Sequence, residues 1–100
     1  MAYPITALGI VTVATSGTPV NLSANQLFAR SFSVQGYKAK GTANTGIVHI
    51  EDENANLVLE LAAGAQFTFP ASGRDREYDL SKFQADAVTN GDGVLVTILP

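Results

Sequence analysis

The chain offers few residues able to do chemistry, and the first of these is His49, its only histidine. A general base or a metal ligand needs partners, and the near ones are Glu51, Asp52 and Glu53. On a β-strand His49 and Glu51 share a face about 7 Å apart, at a rise of ~3.3 Å per residue. One imidazole and one carboxylate do not make a preorganised site. The cysteines or second histidine usual for zinc are missing, since the chain has no cysteine at all. His49 therefore reads as an ordinary strand residue. Oxygen ligands for calcium are offered by Glu51-Asp52-Glu53-Asn54 with Asn56, and separately by Asn90 with Asp92. Neither stretch has the spacing of the helical calcium loop, and Asn and Asp collect in turns for backbone reasons alone.

The remaining constellations are weaker. Carboxylate pairs for glycoside cleavage can be drawn from any nine acidic residues, and a chain without tryptophan lacks the best stacking surface for sugar. No Gly-x-Ser-x-Gly stretch accompanies His49, and Gly36, Gly41 and Gly46 are not followed by the Gly-Lys-Ser/Thr of a phosphate loop. Asn21-Leu22-Ser23 matches a glycosylation acceptor, but Met1-Ala2-Tyr3-Pro4 does not open a secretory signal, so the match reads as chance. The sequence thus nominates no catalytic, cofactor-binding or metal-ligating residue, and the expectation is a protein that is not an enzyme. Arg74-Asp75-Arg76-Glu77-Tyr78-Asp79 is the one dense charge run, read either as a solvated loop or as a contact between subunits. Arg30, among Phe28, Phe32 and Val34, must be paired or reach solvent, because an unpaired buried charge is costly.

The elements that would position these residues are strands. With 100 residues, 46% hydrophobic and 15% charged, the chain has length for one core and one domain, 1–100, and not for two. No apolar stretch is long enough to span a membrane, and a net charge of −3 does not suit nucleic-acid phosphates. Apolar residues run or alternate with period two through Leu8–Ala14, Val20–Leu22, Phe28–Gln35, Ile47–Ile50, Leu57–Leu61, Gln66–Phe69, Ala85–Thr89 and Val94–Leu99. These are about eight short strands with Gly, Pro, Asn and Ser between them, the pattern of a small antiparallel β-sandwich, jelly-roll-like. Asn90-Gly91-Asp92-Gly93 predicts a hairpin joining the last two strands. Ser23 to Phe28 has the makings of one helical turn, with Ser23 as cap. Phe28, Phe32, Phe67 and Phe69 fall at inward positions, which leaves Tyr3, Tyr37 and Tyr78 outward.

Several segments resemble, in order and spacing, the small β-sandwich virion proteins of tailed bacteriophages. They are Thr18-Pro19-Val20-Asn21-Leu22-Ser23, Phe32 to Gly36, Asn44-Thr45-Gly46-Ile47-Val48-His49-Ile50, Leu61-Ala62-Ala63-Gly64, Asp79-Leu80-Ser81 and Gly93-Val94-Leu95-Val96. The likeness covers most of the chain from Thr18 to Leu99, and Glu51 stands where a glycine-like turn residue is expected. Such proteins serve as capsid decoration or cement proteins, or as modules of head fibres and tails. The resemblance implies a homotrimer bound to the major capsid protein on the capsid surface, made in the host cytoplasm, with no cofactor and no catalytic residues. A carbohydrate-binding module of a fibre or tail and a head–tail adaptor ring are the alternatives. Met1 to Thr6 shows no periodicity, and on that ground is expected to be an extended arm lying on a neighbouring subunit or on the capsid.

Overall fold

A computed structural model describes residues 5–71 and 77–99. Twelve strands follow one another in these residues: β1 (Thr6–Thr12), β2 (Val20–Asn21), β3 (Phe28–Ala29), β4 (Ser31–Gln35), β5 (Tyr37–Ala39), β6 (Thr42–Ala43), β7 (Val48–Asp52), β8 (Leu57–Leu61), β9 (Gln66–Phe69), β10 (Tyr78–Asp79), β11 (Phe83–Ala87) and β12 (Gly93–Leu99). A single 3-10 turn, Leu80–Lys82, separates β10 from β11. Met1 to Pro4 of the expected arm, and Arg74, Asp75 and Arg76 of the charge run, lie outside the described residues.

Eight strands build two four-stranded sheets, ordered β1-β12-β4-β9 and β2-β11-β7-β8, with every neighbouring pair antiparallel. Along the chain β7 and β8 form a hairpin within one sheet, while the other successive strands of these eight cross from one sheet to the other. That order, two interleaved Greek keys, is the jelly roll. The alternation read in the sequence explains why the sheets stack. Val94 and Val96 of β12 and Phe32 and Val34 of β4 are fully buried, as are Val48 and Ile50 of β7 and Ala85 of β11. All belong to one apolar cluster that also takes in Val13, Leu22 and Leu80.

Aromatic rings fasten one end of this core. Phe32 stacks on Phe69 with ring centroids 4.4 Å apart, and meets Tyr78 at 5.3 Å and Phe83 at 5.5 Å edge-on. Phe32 and Phe69 come from the first sheet and Phe83 from the second, so the cluster ties the layers together. Offset and edge-to-face pairs each add about 0.5–1.5 kcal/mol beyond the area they bury.

Four expectations change. The Phe28–Gln35 run is not one strand: it bends at Arg30, so Phe28 and Ala29 pair with β10, and the chain enters the first sheet only at Ser31. The bend puts Arg30 in solvent and leaves Phe28 52% exposed, although the even spacing placed both on the face of Phe32. Phe67 shares its face with Phe69 but lies on an edge strand, and is 43% exposed. Ser23 to Phe28 contains no helical turn; the Ser23 hydroxyl instead donates to the Asn25 carbonyl at 2.6 Å.

The predicted hairpin is the fourth correction. β11 and β12 belong to different sheets, and Asn90-Gly91 carries the chain across between them. A hairpin turn of type I′ needs positive φ at both central residues, and only Gly91 has it, at +88°. With the Asp92 N–H donating to the Thr89 carbonyl, this is the pattern of a type II turn, whose twist splays the flanking strands apart.

Candidate functional site

Strand pairing disperses the residues singled out for chemistry. His49 stands on the outer face of β7, opposite Glu60 on β8 and Asp86 on β11. Its Nε2 is 3.9 Å from Glu60 Oε1, too long for a hydrogen bond, and both side chains reach water. Glu51, the expected partner, accepts from the Gln84 side chain at 3.1 Å. Among the described residues no group of three or more His, Cys, Asp or Glu is arranged to hold a metal ion.

The two acidic turn stretches instead satisfy backbone donors. Asp52 Oδ1 accepts the N–H groups of Asn54 and Asn56 at 2.8 and 2.9 Å, and Glu53 pairs with Lys82 at 3.1 Å. The Asn56 N–H, with smaller help from Asn54, holds the Asp52 carboxyl below its ordinary value of 3.8. Asp79 caps the 3-10 turn: its Oδ1 accepts from the Ser81 hydroxyl at 2.7 Å and the Ser81 N–H at 3.0 Å. The hydroxyl bond leads in lowering the Asp79 carboxyl as well. The Asp79-Leu80-Ser81 segment is thus a turn cap that drives Leu80 into the core.

A pH dependence follows from these lowered values. A carboxyl depressed in the folded state stabilises it above the unfolded value, near 3.8 here, and that contribution is lost as pH falls through the lower folded value. The urea midpoint is expected to hold down to about pH 5 and to drop below about pH 4. Asp79→Asn should flatten that drop; an unchanged slope in this variant would remove Asp79 from the account.

One buried polar cluster was missed in the sequence. Asp92, 1% exposed, accepts the N–H groups of Thr45 and Gly46 at 2.9 and 2.8 Å. Asn44, 5% exposed, donates to the Gly93 carbonyl at 2.7 Å and accepts the Gly93 N–H at 2.9 Å. Around them the Val13 and Gly91 backbones close the crossing, Val13 N–H to Asp92 and Gly91 N–H to Val13. The only signal was the pairing of two turn motifs, Asn-Thr-Gly and Asn-Gly-Asp-Gly, far apart in the chain.

The aromatic surface expected for sugar stacking is also thinner than the pattern implied. Tyr78 belongs to the ring cluster, with its hydroxyl donating to the Pro70 carbonyl at 2.7 Å. Tyr3 lies outside the described residues, and Tyr37 is half-buried.

What the geometry does assemble is a contrast between the two outer faces. Beyond the second sheet stand His49, Glu51, Glu60, Gln84 and Asp86, paired by register and alternating with core residues. The corresponding positions of the first sheet are Ser33, Gln35, Gln66, Thr68, Leu95 and Thr97, none of them charged. The edges differ too. β1 bulges at Leu8, β2 is two residues long and preceded by Pro19, and β8 bulges at Val58 and carries Glu60. Bulges, brevity, proline and charge all discourage pairing with another chain. β9 carries no bulge and no charge: it pairs regularly with β4 over the four residues Gln66 to Phe69, ends at Pro70, and no described strand lies on its other side. No family model, curated protein or solved structure matches this chain.

Proposed function

We propose that this chain is a non-enzymatic structural protein of a phage virion, a decoration protein that binds the outside of the head as a homotrimer and stabilises the shell. The reading rests on the resemblance in the sequence, and one observation carries it furthest: the uncharged outer face of the first sheet on its β4 and β9 side, running out to a β9 edge with no described strand beside it. On that side Gln35, Gln66, Thr68 and Thr97 can be covered by another β surface without stranding a charge. An open edge offers unpaired backbone groups that a neighbouring copy or the shell would satisfy. The jelly roll alone assigns no function, since one fold hosts many.

Purified protein should bind saturably to heads assembled without it and raise their disruption temperature; heads that bind none would sink the reading. The edge makes a separate prediction. Thr68→Lys places a charge on β9 at an exposed position, where the cost to folding is within about 0.5 kcal/mol. Sedimentation velocity should find trimer for the natural sequence and mostly monomer for the variant. A trimer that survives the substitution would clear β9 of any part in assembly.

A further inference from the structure

The outer face of the first sheet is interrupted by a groove. β5, paired with β6 as a small hairpin, packs against β12 and β1, and an open cavity of about 430 Å³ remains beside it. Its floor is Ile10 and Leu95, direct partners across β1 and β12, both facing away from the core. Tyr37 and Ala39 of β5 form a wall, and Lys40 stands at the hairpin tip. The β1 bulge makes the room. It places Gly9 at φ +92°, a conformation side chains rarely adopt, and a Cβ built there would meet no heavy atom within 4 Å.

We propose that this groove is a binding site for a small apolar ring or chain ending in a carboxylate. The volume falls in the range of small-molecule sites, about 300–1,000 Å³, which are mostly apolar with a few polar groups that orient the ligand. The lining supplies that combination: aliphatic floor, aromatic wall, and Lys40 as its one charged residue. Lys38 and Lys40 are two of the three lysines in an acidic chain, and the hairpin bearing them has no acid. Lys38 donates to the Thr45 hydroxyl at 3.0 Å, while Lys40 has no acidic partner among the described residues. Lys40 is therefore left to meet an anion brought by the ligand, and the aliphatic floor selects an anion with an apolar body. The groove lies on the β1 side of the sheet, away from the β9 edge, and its test needs only the purified protein.

Titration with decanoate, followed through backbone amide NMR, tests the proposal. Saturable shifts are expected, confined to Gly9, Ile10, Tyr37, Lys40 and Leu95. Lys40→Gln should weaken decanoate about threefold, the share of an exposed ion pair, and leave binding of decanol unchanged. Ala39→Trp, at an exposed position on the wall, should abolish binding of both while the denaturation midpoint stays in place. Absent or scattered shifts would overturn the site. Equal decanoate affinity in Lys40→Gln would overturn its assignment to carboxylates.

Discussion

Phe32→Ala is expected to lower the unfolding free energy by about 3–5 kcal/mol, the range for removing a buried aromatic ring. Phe32 is fully buried, stacked on Phe69 and edge-on to Tyr78 and Phe83, and its neighbours across the sheet are Ile98 and Phe69. The loss has two parts: apolar surface is returned to water, and a cavity opens where three rings lose their common partner. Those rings span both sheets, so they cannot close the gap without shifting one sheet on the other. Domains of this size hold only about 5–15 kcal/mol in total, so the variant keeps a fraction of its native stability. Each kcal/mol corresponds to about 4–8 °C in Tm. Phe28→Ala is the control, removing the same ring from a half-exposed position on the short β3 ladder. Urea denaturation of the two variants should separate them clearly; equal losses would mean that the ring cluster does not hold the layers together.

The second large effect belongs to the crossing between β11 and β12. Asp92→Ala removes the acceptor for the Thr45 and Gly46 N–H groups, at a side chain that is 1% exposed. Two donors left without partners cost about 1–3 kcal/mol each when buried, and these are partly buried, so about 2–4 kcal/mol is expected. Asp92→Asn keeps one acceptor oxygen but turns an amide N–H₂ toward a backbone donor, and should fall between the two. Hydrogen exchange gives the specific readout. The Thr45 and Gly46 amides should be protected in the natural sequence and exchange faster in Asp92→Ala, beyond the change at core amides. Uniform acceleration throughout would mean that the substitution merely lowers global stability.

Period-two alternation made most of the fold legible. Leu57–Leu61 and Gln66–Phe69 appear with the expected bounds, and the other long strands are displaced by only a few residues. The short ladders were not legible, because two or three residues, as in β3, β6 and β10, carry no period. Direction failed where the backbone departs from a regular strand. At Arg30 one bent residue removed Phe28 from the face of Phe32, and alternation counts residues without knowing whether the chain is straight. At Asn90-Gly91 the residue types promised a turn correctly, but whether the turn joins neighbours in one sheet depends on which strand β12 pairs with. Its partners are β1 and β4, both distant in sequence. The charge-free face was in principle readable from Ser33, Gln35, Gln66, Thr68, Leu95 and Thr97, yet nothing local says that these residues stand side by side.

The sequence by itself determined an all-β chain of one core, about eight strands and dispersed titratable groups, because those properties follow from composition, period and turn residues. Only the tertiary structure decided which strands stand side by side in the jelly roll, the burial of Asn44 and Asp92 in one polar cluster, the β9 edge with no described strand beside it, and the groove beside Lys40. Each of these depends on contacts between residues far apart in the chain. Such contacts form once long loops have closed and a large apolar area is buried together, a collective balance that no local pattern records.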